Sequence, residues 1–168
     1  IDSIGKVAAF HGNFGVLVRA YAFVRALGLI GLRHVSGDAV LNANYILSSL
    51  KDVYKVAFDR QCMHELVLSL SPQKSKGVKA LDVSKRLIDY GIHPPTMYFP
   101  LVVEEALMIE PTESETKETL DSFIDIMRKI AIECEENPDV VISAPGFAPI
   151  GRLDEAMAAR RPDLRQVY

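Results

Sequence analysis

Apolar residues recur with helical spacing over two adjacent stretches near the start of the chain. Residues 14–27 are apolar on nearly every side, which is typical of a helix that other protein covers, and Gly28 is predicted to end it. A second helix is predicted from about residue 32 to residue 50. Its periodic apolar positions are Leu32, Val35, Ala39, Ala43, Ile46 and Leu50.

Short apolar runs between turn residues predict three strands further along the chain. They cover about residues 65–69, 97–103 and 106–110. Pro100 has no backbone N–H, so it places the second strand at a sheet edge or a bulge. Between the first two strands, residues 80–90 predict a helix that ends before Gly91.

The clearest helical pattern follows Thr112. Thr112 and Glu115 have capping-box spacing, which predicts that Thr112 is the N-cap of this helix. Asn137-Pro138 is predicted to stop the helix, and a last short helix is predicted over about residues 153–160. The apolar stripe of the long helix comprises Leu120, Phe123, Ile124, Met127, Ile130, Ala131 and Cys134.

Helices and short strands therefore alternate along the chain. Three short strands can form one small sheet that helices cover, so the predicted class is α/β in the α+β style. The 168 residues suffice for one domain, which at this length buries roughly 70% of its unfolded surface.

Composition and charge exclude several classes of partner. The net charge is −3, from 19 basic and 22 acidic residues without a clustered basic face, so no nucleic-acid partner is expected. No membrane span is expected either, because Arg19 and Arg25 interrupt the longest apolar run. Cys62 and Cys134 form no CxxC pair, which favours core thiols in a reducing compartment. Because the first residue is not Met, we expect a trimmed, cleaved or excised fragment rather than a complete gene product.

Generic motifs of catalysis are missing from the sequence. It contains no GxxxxGK, GxGxxG, GxSxG or HExxH pattern. The four histidines are scattered, which favours structural roles and predicts no metal site. Glu104 and Glu105 would point to opposite faces of a strand, so they cannot act as a facing acid–base pair. The residues alone predict a domain without a recognisable site.

Longer stretches of the sequence, in contrast, resemble one family. The chain carries GNFGVLVRAY at 12–21, LNANY at 41–45, HELVL at 64–68, ALDVSKRLIDYGIHPPTM at 80–97 and EPTESE at 110–115. The tail at 152–160 fits as well, so the similarity covers essentially the whole chain in order. These stretches resemble the C-terminal domain of the glycine cleavage system P-protein in its two-subunit form. One position departs from the family pattern: Gly146 stands where a His is expected, so no role is carried over to that loop.

The resemblance implies that this chain is one part of a longer enzyme and that another part holds the cofactor. The family consists of fold-type-I pyridoxal-phosphate enzymes, which decarboxylate glycine and transfer the aminomethyl group to the lipoyl group of the H-protein. It implies a connecting helix at 1–30, a small C-terminal domain at 31–168 and a partner, P-protein subunit 1. The family's Schiff-base lysine follows a His, and none of the nine lysines here does. We therefore expect that lysine upstream of Ile1. This chain should have no catalytic or cofactor-binding residue, bind no pyridoxal phosphate and be inactive alone.

Four residues are candidates for an active-site edge under this resemblance. His11 and Asn13 come directly after the expected cofactor region, although capping of the following helix explains them as well. Tyr98 and Glu113 are further candidates, because 110–115 joins a strand end to a helix start. The helix at 14–27 should pack against the cofactor domain in the full enzyme. In this chain it should expose an apolar patch or cause self-association.

Two other functions remain open from the sequence. The chain can be a non-catalytic small-molecule-binding domain of α+β type, or the small domain of another pyridoxal-phosphate enzyme such as an aminotransferase. Neither alternative accounts for the EPTESE and HPPT stretches. The expected location is the cytoplasm.

Overall fold

The computed structural model describes residues 2–6, 11–162 and 164–165. A 3₁₀ turn at Gln73–Lys76 precedes the second helix. The helices are α1 (Phe14–Leu50), α2 (Ala80–Asp89), α3 (Lys117–Glu136), α4 (Pro138–Ile142) and α5 (Glu155–Arg160). The strands are β1 (Lys55–Val56), β2 (Leu66–Ser69), β3 (Thr96–Met97) and β4 (Ala106–Ile109).

One antiparallel sheet forms the centre of the fold. Its strand order is β1-β2-β4-β3, and Leu68 pairs with Leu107 in the middle of it. Helices cover one face, so the predicted class, a small sheet under helices, is confirmed. The described residues contain four strands where about three were predicted, because β1 is too short to give a periodic signal.

The core lies between the sheet, the second half of α1 and α3. Leu66, Leu68, Leu107 and Ile109 alternate along β2 and β4 and are buried on the helical side of the sheet. Further core residues come from the helices and the turns that join them. They include Ala43, Ile46, Leu50, Tyr54, Val83, Leu87, Met127, Ile130 and Cys134.

Gly28 interrupts α1, as predicted. Its φ of 62° and ψ of −174° lie in a region that is essentially restricted to glycine. The kink lies near the boundary predicted at residue 30, although the division into two domains stays a prediction.

The first half of α1, residues 14–27, is called the exposed arm here. The expectation that other protein covers it is not met within this chain, because the arm carries no buried residue. The exposed large apolar side chains on and just after it are Phe14, Val16, Leu17, Val18, Tyr21, Phe23, Val24, Leu29 and Ile30. By length and composition alone α1 is also apolar enough to cross a membrane. The predicted absence of a membrane span therefore stays a prediction.

The strand predicted at 97–103 is wrong beyond Met97. Tyr98 still donates its N–H to the carbonyl of Ala106, but its φ of 57° turns the chain out of the sheet. The N–H of Val103 then bonds to the carbonyl of Pro100 and closes a turn. The apolar residues after Met97 suggested a strand, but they form a loop that projects from the sheet.

The capping box predicted at Thr112 is also wrong. Helix α3 begins at Lys117, and Thr116 is its N-cap, because the Thr116 side chain accepts the N–H of Thr119 at 3.2 Å. Thr112 lies in a turn that Glu115 closes by donating its N–H to the Thr112 carbonyl. Thr112 and Thr116 both stand where a helix N-cap is plausible from the sequence. Because Thr112 lies in the turn, the helix begins later and Thr116 is its N-cap.

Other helix ends agree more closely with the sequence. Helix α2 ends before Gly91, whose φ is 74°. Asn137-Pro138 stops α3 as predicted, but Pro138 also begins α4, since proline fits the first position of a helix. Helix α5 starts later than predicted, at Glu155, where the Asp154 side chain accepts the N–H of Met157.

Residues 143–152, called the C-terminal strap here, lie along α2. Side chains near both ends of α2 bind the strap. The Asp89 carboxylate accepts the N–H groups of Gly146 and Phe147 at 2.8–2.9 Å. At the other end, Arg152 pairs with Asp82 at 2.7 Å and donates to the carbonyl of Ala144 at 2.6 Å. These contacts explain how an irregular segment keeps a fixed path.

Asp89 also belongs to a charged network between α2 and α3. Arg86 donates to Asp89 at 3.2 Å and to both carboxylate oxygens of Glu133 at 2.9 Å. Burial raises the pKa of Asp89. The N–H groups of Phe147 and Gly146 and the Arg86 guanidinium outweigh that effect, so the net pKa of Asp89 is lowered.

We predict that Thr116→Ala lowers the free energy of unfolding by about 1 kcal/mol, because a backbone N–H of α3 loses its acceptor. Urea unfolding measures the effect. Thr112→Ala is the matched control and should change stability by less than about 0.5 kcal/mol, since Thr112 is exposed and outside the helix. A larger loss for Thr112→Ala than for Thr116→Ala would contradict this assignment.

We also predict that Asp89→Asn costs about 2 kcal/mol near neutral pH, because a buried carboxylate with three donors loses its charge. A carboxyl group whose pKa is lowered by folding stabilises the protein above its unfolded pKa, and this contribution fades as pH falls through the folded pKa. The difference between wild type and Asp89→Asn should therefore shrink on acidification. Unfolding in urea across the acidic range measures it, with exposed Asp125→Asn as control. A pH-independent difference would refute the role of the charge.

Candidate functional site

The face of the sheet that the helices leave open carries a cleft of about 760 Å³, called the sheet cleft here. Val67 and Met108 are paired neighbours on β2 and β4, and their half-buried side chains line it. Loops at either side add larger side chains. These are Phe58, Met63 and Phe99. Arg60, Gln61, His64 and Glu65 also line the cleft, so it combines an apolar part with polar groups. Its volume lies within the usual range for ligand pockets.

One wall of the sheet cleft is a loop that α1 holds in place. The Asn44 side chain accepts the N–H of Cys62 at 3.1 Å and donates to the Cys62 carbonyl at 2.8 Å. The Cys62 thiol lines the cleft, and burial raises its pKa. A thiol that is protonated at neutral pH is a poor nucleophile, so Cys62 is not expected to act as one in this cleft.

A second cleft of about 440 Å³ lies where the two most specific stretches of the sequence meet. It is called the proline cleft here, and its walls include His93, Pro94, Pro95, Glu110, Pro111 and Glu115. Asn42 fixes this meeting point by donating its side-chain N–H to the carbonyl of Thr112 at 3.0 Å. His64 and Glu110, 3.8 Å apart, connect it with the loop of the sheet cleft.

The N-terminus of α2 gathers a polar cluster around Tyr98. Burial raises the pKa of the Tyr98 phenol. A hydrogen bond from the Leu81 backbone opposes the shift, and the carboxylates of Glu105 and Asp82 reinforce it. The phenol is therefore protonated at neutral pH and acts as a hydrogen-bonding group. Glu105 caps the helix by accepting the N–H of Ala80 at 2.8 Å.

The four residues predicted for an active-site edge lie on three different segments of the structure. His11 and Asn13 lie at the start of the exposed arm, where the Asn13 side chain caps α1 by accepting the N–H of Val16 at 3.2 Å. Glu113 is half-buried in the turn before α3. None of the four, Tyr98 included, is among the residues that line either cleft. Their role in an active site stays a prediction.

Sequence reasoning missed the residues that organise both clefts. Asn42 and Asn44 belong to the LNANY stretch, yet only the structure shows that their amides hold two loops. Two half-buried amides on the packed half of α1 were the available signal, because half-buried amides need partners. Asp89 and Arg152 gave no comparable signal, since charged residues on helices and in tails are usually solvated.

Neither cleft fits pyridoxal phosphate. The cofactor is held through a lysine, and no lysine lines either cleft. Lys74 and Lys117 are paired with Glu104 and Asp121, at 2.6 Å in both cases. In the part of the chain that the structure describes, no group of three or more His, Cys, Asp or Glu side chains is placed to hold a metal ion.

Comparison with known proteins gives a consistent set of relatives. The chain is 58% identical over 163 residues to a probable glycine dehydrogenase (decarboxylating) subunit 2 of Caldanaerobacter subterraneus subsp. tengcongensis. Proteins of the same name from Staphylococcus haemolyticus and Bacillus thuringiensis are 58% and 59% identical over 164 residues. These matches cover 97–98% of this chain but only 33–34% of each relative, so the chain spans about a third of their length.

The family match agrees with these relatives. The model of the glycine dehydrogenase C-terminal domain matches residues 35–144, from the packed half of α1 through α4 to the beginning of the strap. It includes LNANY, HELVL, HPPT and EPTESE; HPPT and EPTESE line the proline cleft, and HELVL lines the sheet cleft. The match covers more than half of the chain, which therefore belongs to the glycine dehydrogenase C-terminal domain family.

Proposed function

We propose that this chain is the C-terminal part of subunit 2 of a glycine dehydrogenase (decarboxylating). In that enzyme glycine would lose CO₂, and its aminomethyl group would pass to the lipoyl group of an H-protein, with subunit 1 as the partner subunit. The observation that carries the proposal is the similarity to subunit 2 at 58% identity across nearly the whole chain. The same similarity disfavours an aminotransferase domain and a non-catalytic binding domain.

We propose that the cofactor lies outside this chain. The clefts of the domain offer no lysine, and the relatives contain about twice as much further sequence as the chain matches. Pyridoxal phosphate, when bound, supplies the electron sink for a carbanion. In this proposal it is held by the rest of subunit 2, in a fold-type-I arrangement in the cytoplasm.

The role proposed for this domain is to cover the active site and exclude water. Exclusion of water strengthens electrostatic interactions with a reacting group. The exposed arm supports this role, because its apolar side chains need a surface to pack against. His11, Asn13, Tyr98 and Glu113 are the residues we propose for the edge that faces the substrate.

We predict that the full-length subunit 2, mixed with subunit 1, lipoylated H-protein and pyridoxal phosphate, releases labelled CO₂ from carboxyl-labelled glycine. The 168-residue chain in place of subunit 2 should release none. In the same assay Glu113→Gln should lower the rate at least about tenfold if its carboxylate takes part in proton transfer. Glu136→Gln, at an exposed position at the end of α3 and outside both clefts, is the control and should leave the rate unchanged. Full-length protein without glycine-dependent CO₂ release would refute the proposed function.

Borohydride reduction serves as the control for the position of the cofactor. Reduction fixes a lysine-bound pyridoxal phosphate, and mass spectrometry then locates it. The label should appear on one lysine of the full-length subunit that lies outside these 168 residues. A stoichiometric label on any of the nine lysines of this chain would contradict the proposed division of labour.

A further inference from the structure

The proline cleft combines an apolar floor with an acidic rim. Its floor consists of the buried side chains Ile46, Ile109 and Leu120, which come from α1, β4 and α3. Glu110 and Glu115 also line the cleft and are exposed. The volume of about 440 Å³ lies within the usual range for sites that hold a small molecule. A matching ligand has an apolar part for the floor and a polar group for the rim.

The charge on this rim has one sign. Among the described residues that line the cleft, none is a lysine or an arginine. Glu115 forms no salt bridge with another described residue. Glu110 lies 3.8 Å from His64, but this pair is weak because both side chains are more than half exposed. A cation that enters the cleft is therefore attracted by two carboxylates.

The walls of the cleft are fixed before any ligand binds. Pro94, Pro95 and Pro111 line it, and the proline ring holds the backbone φ angle at about −65°. Asn42, on α1, donates its side-chain N–H to the carbonyl of Thr112, the residue after Pro111, at 3.0 Å. A cleft that is already formed loses little conformational entropy on binding, so most of the contact energy with a ligand is retained.

We propose that the proline cleft is a binding site for a small organic ammonium ion that carries an apolar group. The apolar group packs on Ile109 and Leu120, and the ammonium group lies beside Glu110 and Glu115. The sheet cleft does not share this preference, because an arginine and a glutamate both line it. The inference goes beyond the proposed function and does not depend on it.

Binding of dimethylbenzylammonium to the full-length subunit 2 tests the proposal. This tertiary amine forms no Schiff base with pyridoxal phosphate, so its binding is measured separately from the chemistry of the cofactor. A ligand-observed NMR titration should show saturable binding. The affinity should be at least about tenfold higher than that of benzyl alcohol, because the ammonium adds a charge-assisted hydrogen bond. The anion phenylacetate should not compete.

Variants of the rim locate the binding site. Glu110→Gln and Glu115→Gln should each weaken binding at least about threefold, and the double variant at least about tenfold, since each removes one attractive charge. Both positions are exposed, so the fold should be kept. Thr119→Lys, at another exposed position of the cleft, should abolish binding because it supplies a competing ammonium group. Glu136→Gln lies outside the cleft and is the matched control with unchanged affinity.

Three outcomes would overturn the proposal. The first is equal affinity of the wild type and the double variant for the probe. The second is equal affinity for dimethylbenzylammonium and benzyl alcohol, which would leave the carboxylates without a role. The third is binding by the 168-residue chain but not by the full-length subunit, because another part of the subunit would then cover the cleft. None of these measurements depends on glycine decarboxylation, so a failure here is separate from a failure of the proposed function.

Discussion

The packing of the second half of α1 against the sheet is the interaction on which the rest of the structure depends. Ala43, Ile46 and Leu50 are buried in the core, and the helix packs against β2 and α3. Beside them Asn42 and Asn44 hold the turn before α3 and the loop at Cys62. One helix thus supplies both the core and the polar contacts that shape the two clefts. A change that rotated it would displace both cleft walls together.

The sequence predicted those parts of the fold whose signal is local and periodic. The stripe of α3, the stop at Gly91 and the kink at Gly28 follow from side-chain period and from backbone conformations that glycine adopts most easily. Residues 97–103 and Thr112 misled the prediction for a shared reason. Each has the right composition for a strand or a cap, but contacts with distant residues decide its conformation: Glu105 anchors the projecting loop on α2, and Asn42 holds the turn at Thr112.

The candidate site was less predictable than the fold. Clefts arise from loops that distant side chains hold, and spacing along one sequence does not reveal such contacts. The resemblance predicted the family, which the comparisons confirm, whereas the role of His11, Asn13, Tyr98 and Glu113 in an active site stays a prediction. The exposed arm gives a consistent physical picture: the domain buries its own core and leaves the large apolar side chains of the arm uncovered.

Hydrogen exchange over the exposed arm tests that picture most directly. The backbone amides of residues 14–27 are compared between the 168-residue chain at low concentration and the full-length subunit. If the rest of the subunit covers the arm, its amides should exchange at least about a hundredfold more slowly in the full-length protein, because exchange then requires a costly local opening. Amides of α3 should be protected in both. Equal and rapid exchange of the arm in the full-length subunit would contradict the account.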